Sequence, residues 1–320
     1  MEALPDPMSM PSADDAVRLA AALPRGLRLG TSSWTFPGWR DLIYGGSYPS
    51  KARAAEHLGR YARHPLLRTV GIDSTYYRPA DLTALRGMAD VLPDDFRALM
   101  KCWSHITTFH WSKAMDPQKK GGPNPDFLNV QLFLDAVHGP VLEAFAPYLG
   151  TLLLEFAPIP EHKLPAAVFA AMLDSFLAAV PRTLPLSVEV RTPGYLQPAY
   201  FAVLREHGVV HCVNHWARMP RIAEQLQHPD LVTGDRLVSR LLLGQGQDYE
   251  AQRDAWAPFD RVVEPDESMR DEVVRLAQMA KQLGLDCYVI VNNKAEGSSP
   301  LTVAALARRI AAELGDQPIR

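Results

Sequence analysis

Eight short apolar runs rich in Leu, Val and Ile recur along the chain, and stretches with helical periodicity separate most of them. Runs of this kind that alternate with helical patterns predict βα units built around a parallel sheet. The predicted strands are Leu27–Ser33, Thr69–Ser74, Arg97–Trp103, Thr151–Phe156, Leu186–Arg191, Val209–Asn214, Leu237–Leu243 and Cys287–Asn293. The clearest helical stretches are Ala52–Arg63, Leu164–Val180, Ala199–His207, Asp271–Gly284 and Ser299–Gly315. Eight such units in 320 residues predict a single (β/α)8 TIM barrel.

The main alternative is an open doubly wound sheet, but the first strand–helix turn, Gly30–Trp39, lacks the G-x-G-x-x-G spacing that seats a dinucleotide. Two segments lie outside the regular pattern. Residues 1–24 are an N-terminal extension, predicted to be an arm or a barrel-bottom helix, ahead of the barrel domain at 25–317. The connection after strand 3, Ser104–Leu149, has 46 residues, and a loop of this length is expected to overhang the barrel mouth.

Composition limits the class of protein but indicates no particular reaction or ligand. Hydrophobic residues make up 47% of the chain and charged residues 22%, which is typical of a globular protein and excludes a disordered one. The net charge of -3 gives no sign of a polyanionic partner. We see no secretion signal and no membrane span, so we expect a soluble, cytoplasmic protein. Cys102, Cys212 and Cys287 are far apart among apolar residues, which favours buried, reduced thiols.

Several local motifs resemble those of a known family. GTSSWTFPGW at Gly30–Trp39 is similar to the signature G-T-S-G-W-x-Y-x-x-W, and GIDSTYYRP at Gly71–Pro79 is similar to E-x-N-S-T-F-Y-x-x-P. Three further matches are Lys101 on a strand, SVEVRTPGY at Ser187–Tyr195, and the paired Asn292 and Asn293. Together they resemble the YecE-like family, domain of unknown function 72, over nearly the whole chain. The resemblance implies a (β/α)8 barrel and no established activity.

The chain departs from the family pattern at several positions. Asp73 stands in place of the usual Glu, and Glu155 stands where a Gln is common. The Thr192–Tyr195 segment lacks the usual Trp, and Arg240–Gly244 lacks the His of the strand-7 motif. We therefore expect a divergent branch of the family, with any role of that His or Trp altered.

Strand alternation predicts that several charged residues point into the barrel. In Leu186–Arg191 the apolar residues share one face, so Glu189 and Arg191 lie on the other, interior face. The same argument applies at the carboxyl ends of the other strands, where TIM barrels carry their active sites. The inward charges are Asp73, Lys101, Glu155, Glu189, Arg191 and Arg240. Buried charges are costly unless they pair or meet a polar ligand.

Two interpretations follow. The charges form a closed ion-pair network, for example Lys101 with Asp73 and Arg191 with Glu189, or they form a ligand site. Other polar and aromatic residues converge on the same mouth, which favours a small-molecule site. They are Ser32, Trp34, Tyr76, Tyr77, His105, Asn214, His215 and Asn292. Trp34 and Tyr77 fit either stacking on a ligand or plugging the top of the barrel.

We expect an enzyme that acts by acid/base chemistry on a small anionic or polyhydroxyl substrate. Glu189, Asp73 and Lys101 are the predicted catalytic residues, with Glu189 or Asp73 moving a proton. The predicted substrate-binding residues are Arg191, Arg240, Ser32, Trp34, Tyr77, His105, Glu155, Asn214, His215 and Asn292. No cofactor and no specific metal ligand set are predicted, and the sequence gives no oligomeric state.

Four alternatives stay open. Glu155 and Glu189 on adjacent strands are a candidate pair for glycoside hydrolysis. A divalent metal could bind oxygen and nitrogen atoms of Asp73, Glu155, Glu189, His105 and His215. A nuclease would use the basic loop residues Lys113, Lys119 and Lys120 to bind phosphates. The fourth alternative is a noncatalytic barrel that binds a ligand.

Overall fold

The computed structural model describes residues 9–48, 54–79, 81–111, 118–244 and 246–315, which form a closed barrel of eight parallel strands. The strands are β1 Leu27–Thr31, β2 Thr69–Ile72, β3 Ala98–Lys101, β4 Leu149–Phe156, β5 Leu186–Val190, β6 Val210–His215, β7 Arg236–Leu241 and β8 Asp286–Val291. Each strand pairs with its sequence neighbours, and β1 pairs with β8 to close the barrel. This confirms the predicted single (β/α)8 barrel.

Helices surround the barrel and connect its strands. They are α1 Ala13–Ala22, α2 Ala54–Tyr61, α3 Ser74–Tyr77, α4 Leu82–Ala89, α5 Ser104–Thr107, α6 Val130–Phe133, α7 Gly139–Ala144, α8 Ala166–Ala179, α9 Pro198–His207, α10 Ile222–Gln225, α11 Tyr249–Trp256, α12 Glu267–Leu283 and α13 Ser299–Leu314. Asp266 caps α12, because its side chain accepts a hydrogen bond from the N–H of Met269. None of the helices in the described ranges is both long and apolar enough to cross a membrane.

Several strands end earlier than the apolar runs predicted. The second run continued to Ser74 and the third to Trp103, yet β2 stops at Ile72 and β3 at Lys101. After β2, Asp73 leads directly into α3, and after β3, Cys102 and Trp103 lead into α5, so the extra residues of both runs lie in the connection or at the start of the helix. The apolar runs of the sequence therefore predicted strands that continue past the last residues paired through the backbone.

The long connection after β3 has two structural parts. Its first part contains α5 and lies at the mouth, where His105 stacks on Trp103. Its second part contains α6, a π-helical turn at Leu134–His138 and α7, and α7 packs against α4 in the outer ring of helices. Only the first part thus lies at the mouth, because the second part occupies the place of a barrel helix. In the N-terminal extension, α1 packs against α13, and residues 1–8 lie outside the described ranges.

The apolar core has two separate regions. The larger one fills the space between the strands and the surrounding helices. The smaller one fills the interior of the barrel with Leu99, Leu153, Val210, Cys212, Val238, Tyr288 and Ile290. All three cysteines are free and buried, as predicted. Because strand side chains alternate, the residues two positions beyond Leu99, Leu153 and Val238 also point inward, above this plug.

Candidate functional site

Six charged side chains form one connected network above the apolar plug, at the carboxyl ends of five strands. They are Asp73, Lys101, Glu155, Glu189, Arg191 and Arg240. Three carry a positive charge and three a negative charge, so the layer is balanced in itself. Five of the six side chains are largely buried, which strengthens each electrostatic contact.

Glu155 is the centre of this network. Its Oε2 lies 2.8 Å from Lys101 Nζ, 2.9 Å from Arg191 Nη2 and 2.6 Å from Arg240 Nη1. Burial by itself would raise the pKa of Glu155, but Arg191, Lys101 and Arg240 outweigh burial and hold that pKa well below its usual range. Glu155 is therefore a fixed negative charge that orients three cations.

Glu189 lies beside Glu155, since the two are register partners on β5 and β4. Its Oε1 accepts a hydrogen bond from Arg191 Nε at 2.8 Å, and its Oε2 lies 2.5 Å from Arg240 Nη1. The side chain has 0% solvent exposure. Both oxygens of Glu189 therefore bind arginines within the protein, and the side chain supports the site from below.

This arrangement argues against glycoside hydrolysis by the predicted pair. A glycosidase needs one carboxyl group that stays protonated near neutral pH, which requires a raised pKa. Glu155 has the opposite shift, and arginines hold both oxygens of Glu189. The pair Glu155 and Glu189 is suited to holding cations in position.

Two aromatic rings hold the cations that face the mouth. Lys101 Nζ lies 4.0 Å from the centre of the Tyr76 ring, and Arg191 Cζ lies 4.3 Å from the Trp216 ring. Cation–π contacts at these distances restrict both side chains and shield them partly from water. The result is a pair of ordered, positively charged groups on either side of Glu155.

Asp73 is the most exposed carboxylate of the layer, with 29% of its side chain accessible. Its Oδ2 lies 3.4 Å from Arg240 Nη2, and its buried Oδ1 has no hydrogen-bond partner among the described residues. A Cβ atom on Gly71 would lie 3.6 Å from that Oδ1 and 3.1 Å from the Cα of Ser32, so the lack of a side chain at Gly71 makes room for the Asp73 carboxylate. A polar ligand can contact Asp73 directly.

Two predicted asparagines lie in the same interior layer. Asn292 donates from Nδ2 to Ser32 Oγ at 2.9 Å, which joins β8 to β1 at the mouth. Asn214 donates from Nδ2 to the Val190 carbonyl at 2.9 Å, and its buried Oδ1 has no partner within the described part of the chain. Buried polar atoms are normally hydrogen-bonded, so Asn214 Oδ1 and Asp73 Oδ1 both favour a polar ligand here.

Three other predicted residues have different environments. The indole N–H of Trp34 donates to the Ala54 carbonyl at 2.7 Å, and the ring is part of the core, so Trp34 packs the barrel top. His105 stacks on Trp103 with ring centres 4.0 Å apart, and burial lowers its pKa. Tyr77 is 72% exposed and packs edge-on against Tyr76. Of the three, Tyr77 contacts Tyr76, and His105 packs between Trp103 and Trp111.

The structure separates His215 from the charged layer. Its side chain lies on the opposite face of β6 from Asn214, in a cleft of about 360 Å³ that also contains Arg221 and Asp266. His215 Nε2 lies 3.5 Å from Asp266 Oδ2. Burial lowers the pKa of His215, while the Asp266 carboxylate opposes that shift. Strand alternation, applied one residue beyond the predicted end at Asn214, would have shown this separation.

The observed ion pairs differ in part from the example given above. Arg191 does pair with Glu189, but Lys101 pairs with Glu155, and Arg240 is the cation near Asp73. Trp216 is a site residue that the sequence reasoning missed. It directly follows β6, and its position at a strand's carboxyl end was an available signal.

The metal-site alternative requires a cluster of ligating side chains, and the nuclease alternative requires basic side chains on the long loop. Within the described ranges, no three His, Cys, Asp or Glu side chains converge in a way that could hold a metal ion. Of the three basic loop residues, Lys113 lies outside the described ranges. Lys119 Nζ lies 5.1 Å from the Trp111 ring, and Lys120 is exposed in the same turn.

The chain is similar to proteins of known structure and to one family of proteins. A crystal structure of a DUF72 family protein from Enterococcus faecalis matches with a TM-score of 0.58 and 18% identity, covering 91% of this chain and 97% of that one. A DUF72 protein from Thermotoga maritima matches with a TM-score of 0.58 and 17% identity, covering 89% and 99%. No curated protein matches the chain. The model of the family described as "Protein of unknown function DUF72" matches residues 28–319, so the chain belongs to the DUF72 (YecE-like) family.

Proposed function

We propose that this protein is an enzyme that acts on a small anionic or polyhydroxyl substrate at the carboxyl-end mouth of the barrel. Asp73 moves the proton, and Lys101 and Arg191 bind the anionic or oxygen-rich part of the substrate. The observation that carries this proposal is the Asp73 carboxylate, which is 29% exposed, lies 3.4 Å from Arg240 and has a second oxygen, Oδ1, with no partner among the described residues. A carboxylate in this position can accept a proton from a bound molecule.

Solvent access assigns the roles within the layer. Asp73 is partly exposed, whereas Glu189 is inaccessible and holds two arginines. We therefore assign proton transfer to Asp73 and a positioning role to Glu189. Lys101 and Arg191 keep slight exposure, 8% and 13%, at the top of the network, so each can add a ligand bond. Guanidinium and ammonium groups suit carboxylate, phosphate and hydroxyl oxygens.

The aromatic walls support the same substrate class. Tyr76 and Trp216 stand on opposite sides of the charged floor, and Tyr77 extends the wall into solvent. Aromatic faces beside hydrogen-bonding groups are common in pockets that bind sugars and other small polar molecules. The site thus combines a polar floor with walls that can stack on a ring.

The test begins with binding. Sugar phosphates, sugar acids and neutral sugars are screened for an increase in Tm of the wild-type protein, and the best compounds are then assayed for turnover. Lys101→Met and Arg191→Met are expected to abolish the increase caused by a mouth ligand. Asp73→Asn is expected to keep binding and lose turnover by at least about 100-fold, as expected for removal of a proton-transfer group.

Each alternative has its own outcome. An increase in Tm that survives both Lys101→Met and Arg191→Met would place the ligand outside the mouth and overturn the proposal. Binding without turnover of any bound compound would favour the noncatalytic barrel. Turnover that appears only when Mg²⁺, Mn²⁺ or Zn²⁺ is added would favour a metal-dependent reaction over metal-free acid/base chemistry.

A further inference from the structure

A second cavity lies at the opposite end of the barrel, where the strands begin. It has a volume of about 600 Å³, within the range of small-molecule sites. Its apolar wall contains Leu177, Val180, Pro181 and Pro185, and its polar wall contains Arg97, Arg182 and Arg236. The candidate site at the mouth shares none of these residues.

Arginines dominate the charge of this cavity. Arg236 pairs with Asp235 at 2.7 Å, so the charges of these two residues compensate each other. Arg97 donates from Nη1 to the carbonyls of Asp94 and Phe96, at 2.7 Å each. Carbonyls accept hydrogen bonds but do not neutralise a guanidinium, so the charge of Arg97 remains uncompensated.

Arg182, which lines the same cavity, has a similar environment. Its Nη2 lies 3.1 Å from the Glu206 carbonyl and 3.4 Å from His207 Nδ1. Within the described ranges neither Arg97 nor Arg182 forms an ion pair with a carboxylate. One further carboxylate, that of Asp286, lines the cavity from an exposed position at the start of β8. The lining therefore holds two uncompensated guanidinium groups against one aspartate.

Tyr288 forms the roof of the cavity and the base of the apolar plug. Arg28 Cζ lies 5.9 Å from its ring centre, so a fourth arginine stands at the same end of the barrel. Burial raises the pKa of Tyr288, the charges of Arg28 and Arg236 oppose that shift, the Asp286 carboxylate adds to it, and Arg97 opposes it least. Three guanidinium groups are thus close enough to influence one hydroxyl.

We propose that this lower cavity binds a small organic molecule through a phosphate group. A phosphate monoester carries nearly two negative charges at pH 7, which matches the two uncompensated arginines. Arginine binds phosphate oxygens in a bidentate manner, which adds specificity as well as charge. The apolar wall beside the arginines would contact the organic part of the ligand. This binding does not depend on the reaction at the mouth.

The test uses adenosine monophosphate, inorganic phosphate, adenosine and citrate as probes in calorimetric titrations of the whole chain. Adenosine monophosphate and inorganic phosphate are expected to bind, and adenosine is not. Arg97→Gln and Arg182→Gln are each expected to weaken binding of adenosine monophosphate about tenfold, since each removes charge-assisted hydrogen bonds. Higher NaCl should weaken binding in the wild type.

Arg68→Gln is the matched control. Arg68 lies near the same end of the barrel, but it pairs with Asp95 at 2.5 Å and lines a different, smaller cavity. Its substitution is expected to leave binding of adenosine monophosphate unchanged. Lys101→Met removes anion binding at the mouth, so binding of adenosine monophosphate that persists in Lys101→Met and is lost in the arginine variants is assigned to the lower cavity.

A second variant keeps the proposal testable if the arginine substitutions disturb folding. Pro181 is exposed and lines the cavity, so Pro181→Glu adds a negative charge without removing an arginine. It is expected to weaken phosphate binding about tenfold by charge repulsion. The proposal is overturned if adenosine monophosphate does not bind at about 10 mM, if binding persists in both arginine variants and in Pro181→Glu, or if citrate binds as tightly as the phosphates.

Discussion

The guanidinium of Arg240 extends from β7 across the barrel to the carboxylate of Glu155 on β4, with Nη1 2.6 Å from Oε2. The same nitrogen lies 2.5 Å from Glu189 Oε2 on β5, so one buried arginine links three strands. Arg240 is buried, and the charges of Glu189, Asp73 and Glu155 outweigh the effect of burial and raise its pKa. The ion-pair layer therefore depends on this side chain.

Replacing Arg240 with Met is expected to destabilise the protein by about 3–5 kcal/mol, because Glu155 and Glu189 lose a shared buried partner. The measurement is the free energy of unfolding in urea. Arg86→Met is the control, since Arg86 pairs with Glu143 at the surface and its loss should cost less than about 1 kcal/mol. Equal effects of the two substitutions would show that the buried pairs contribute no more than a surface pair.

Stability at acid pH is expected to depend on Glu155. Its pKa in the folded protein lies below the ordinary value, so the folded state binds fewer protons than the unfolded state as the pH falls. This contribution is complete above the unfolded pKa of about 4.3 and is lost progressively below it. Glu155→Gln should therefore lose less stability than the wild type between about pH 5 and pH 2. Parallel stability curves for the two proteins would contradict the assignment.

His211 provides a second pH dependence in a higher range. Burial lowers its pKa to about 3, and its Nδ1 lies 2.9 Å from the hydroxyl of Tyr200. Between the unfolded pKa of about 6.5 and the folded value, only the unfolded state binds this proton, so stability falls as the pH falls. NMR of the His211 ring should show a neutral imidazole at pH 5. A ring that titrates near pH 6.5 would mean that the site is open to water.

Gly30 marks the closest approach between β1 and β2. A Cβ atom there would lie 1.9 Å from the Thr69 carbonyl oxygen, so Gly30→Ala must separate the two strands. We expect a loss of about 1–3 kcal/mol in the free energy of unfolding. Gly87→Ala, on α4 with no neighbour within 4 Å of the added carbon, should instead stabilise the protein by about 0.5–1 kcal/mol. A tolerated Gly30→Ala would show that the barrel adjusts its strand spacing easily.

Face assignment was the most successful part of the sequence reasoning. Side chains alternate strictly along a strand, so placing Leu99 inside also places Lys101 inside, and both residues lie there. The same two-residue alternation places His215 on the outer face once the predicted sixth strand, which ended at Asn214, is extended by one residue. Strand ends were less certain, because nothing in the local pattern marks where strand pairing stops and the connections into α3 and α5 begin.

The ion-pair partners of the inward charges at the strand ends could not be predicted from strand alternation. Lys101 was paired with Asp73 as an example, but it contacts Glu155, because the register of β3 against β4 places Lys101 beside Leu153, two positions before Glu155. Trp216 follows a strand, yet nothing in the sequence shows that its ring covers Arg191. Such contacts depend on the stagger between strands and on how far each side chain extends.

The sequence by itself determined an eight-stranded barrel and the inward charges at its strand ends, because both depend on local periodicity that each segment carries alone. The tertiary structure decided which charges neutralise one another, leaving Asp73 accessible and Glu189 enclosed. It also brought Arg97 and Arg182, 85 positions apart in the chain, to one cavity beneath Tyr288. Contacts of that kind arise only when the closed barrel fixes distant strand ends in space.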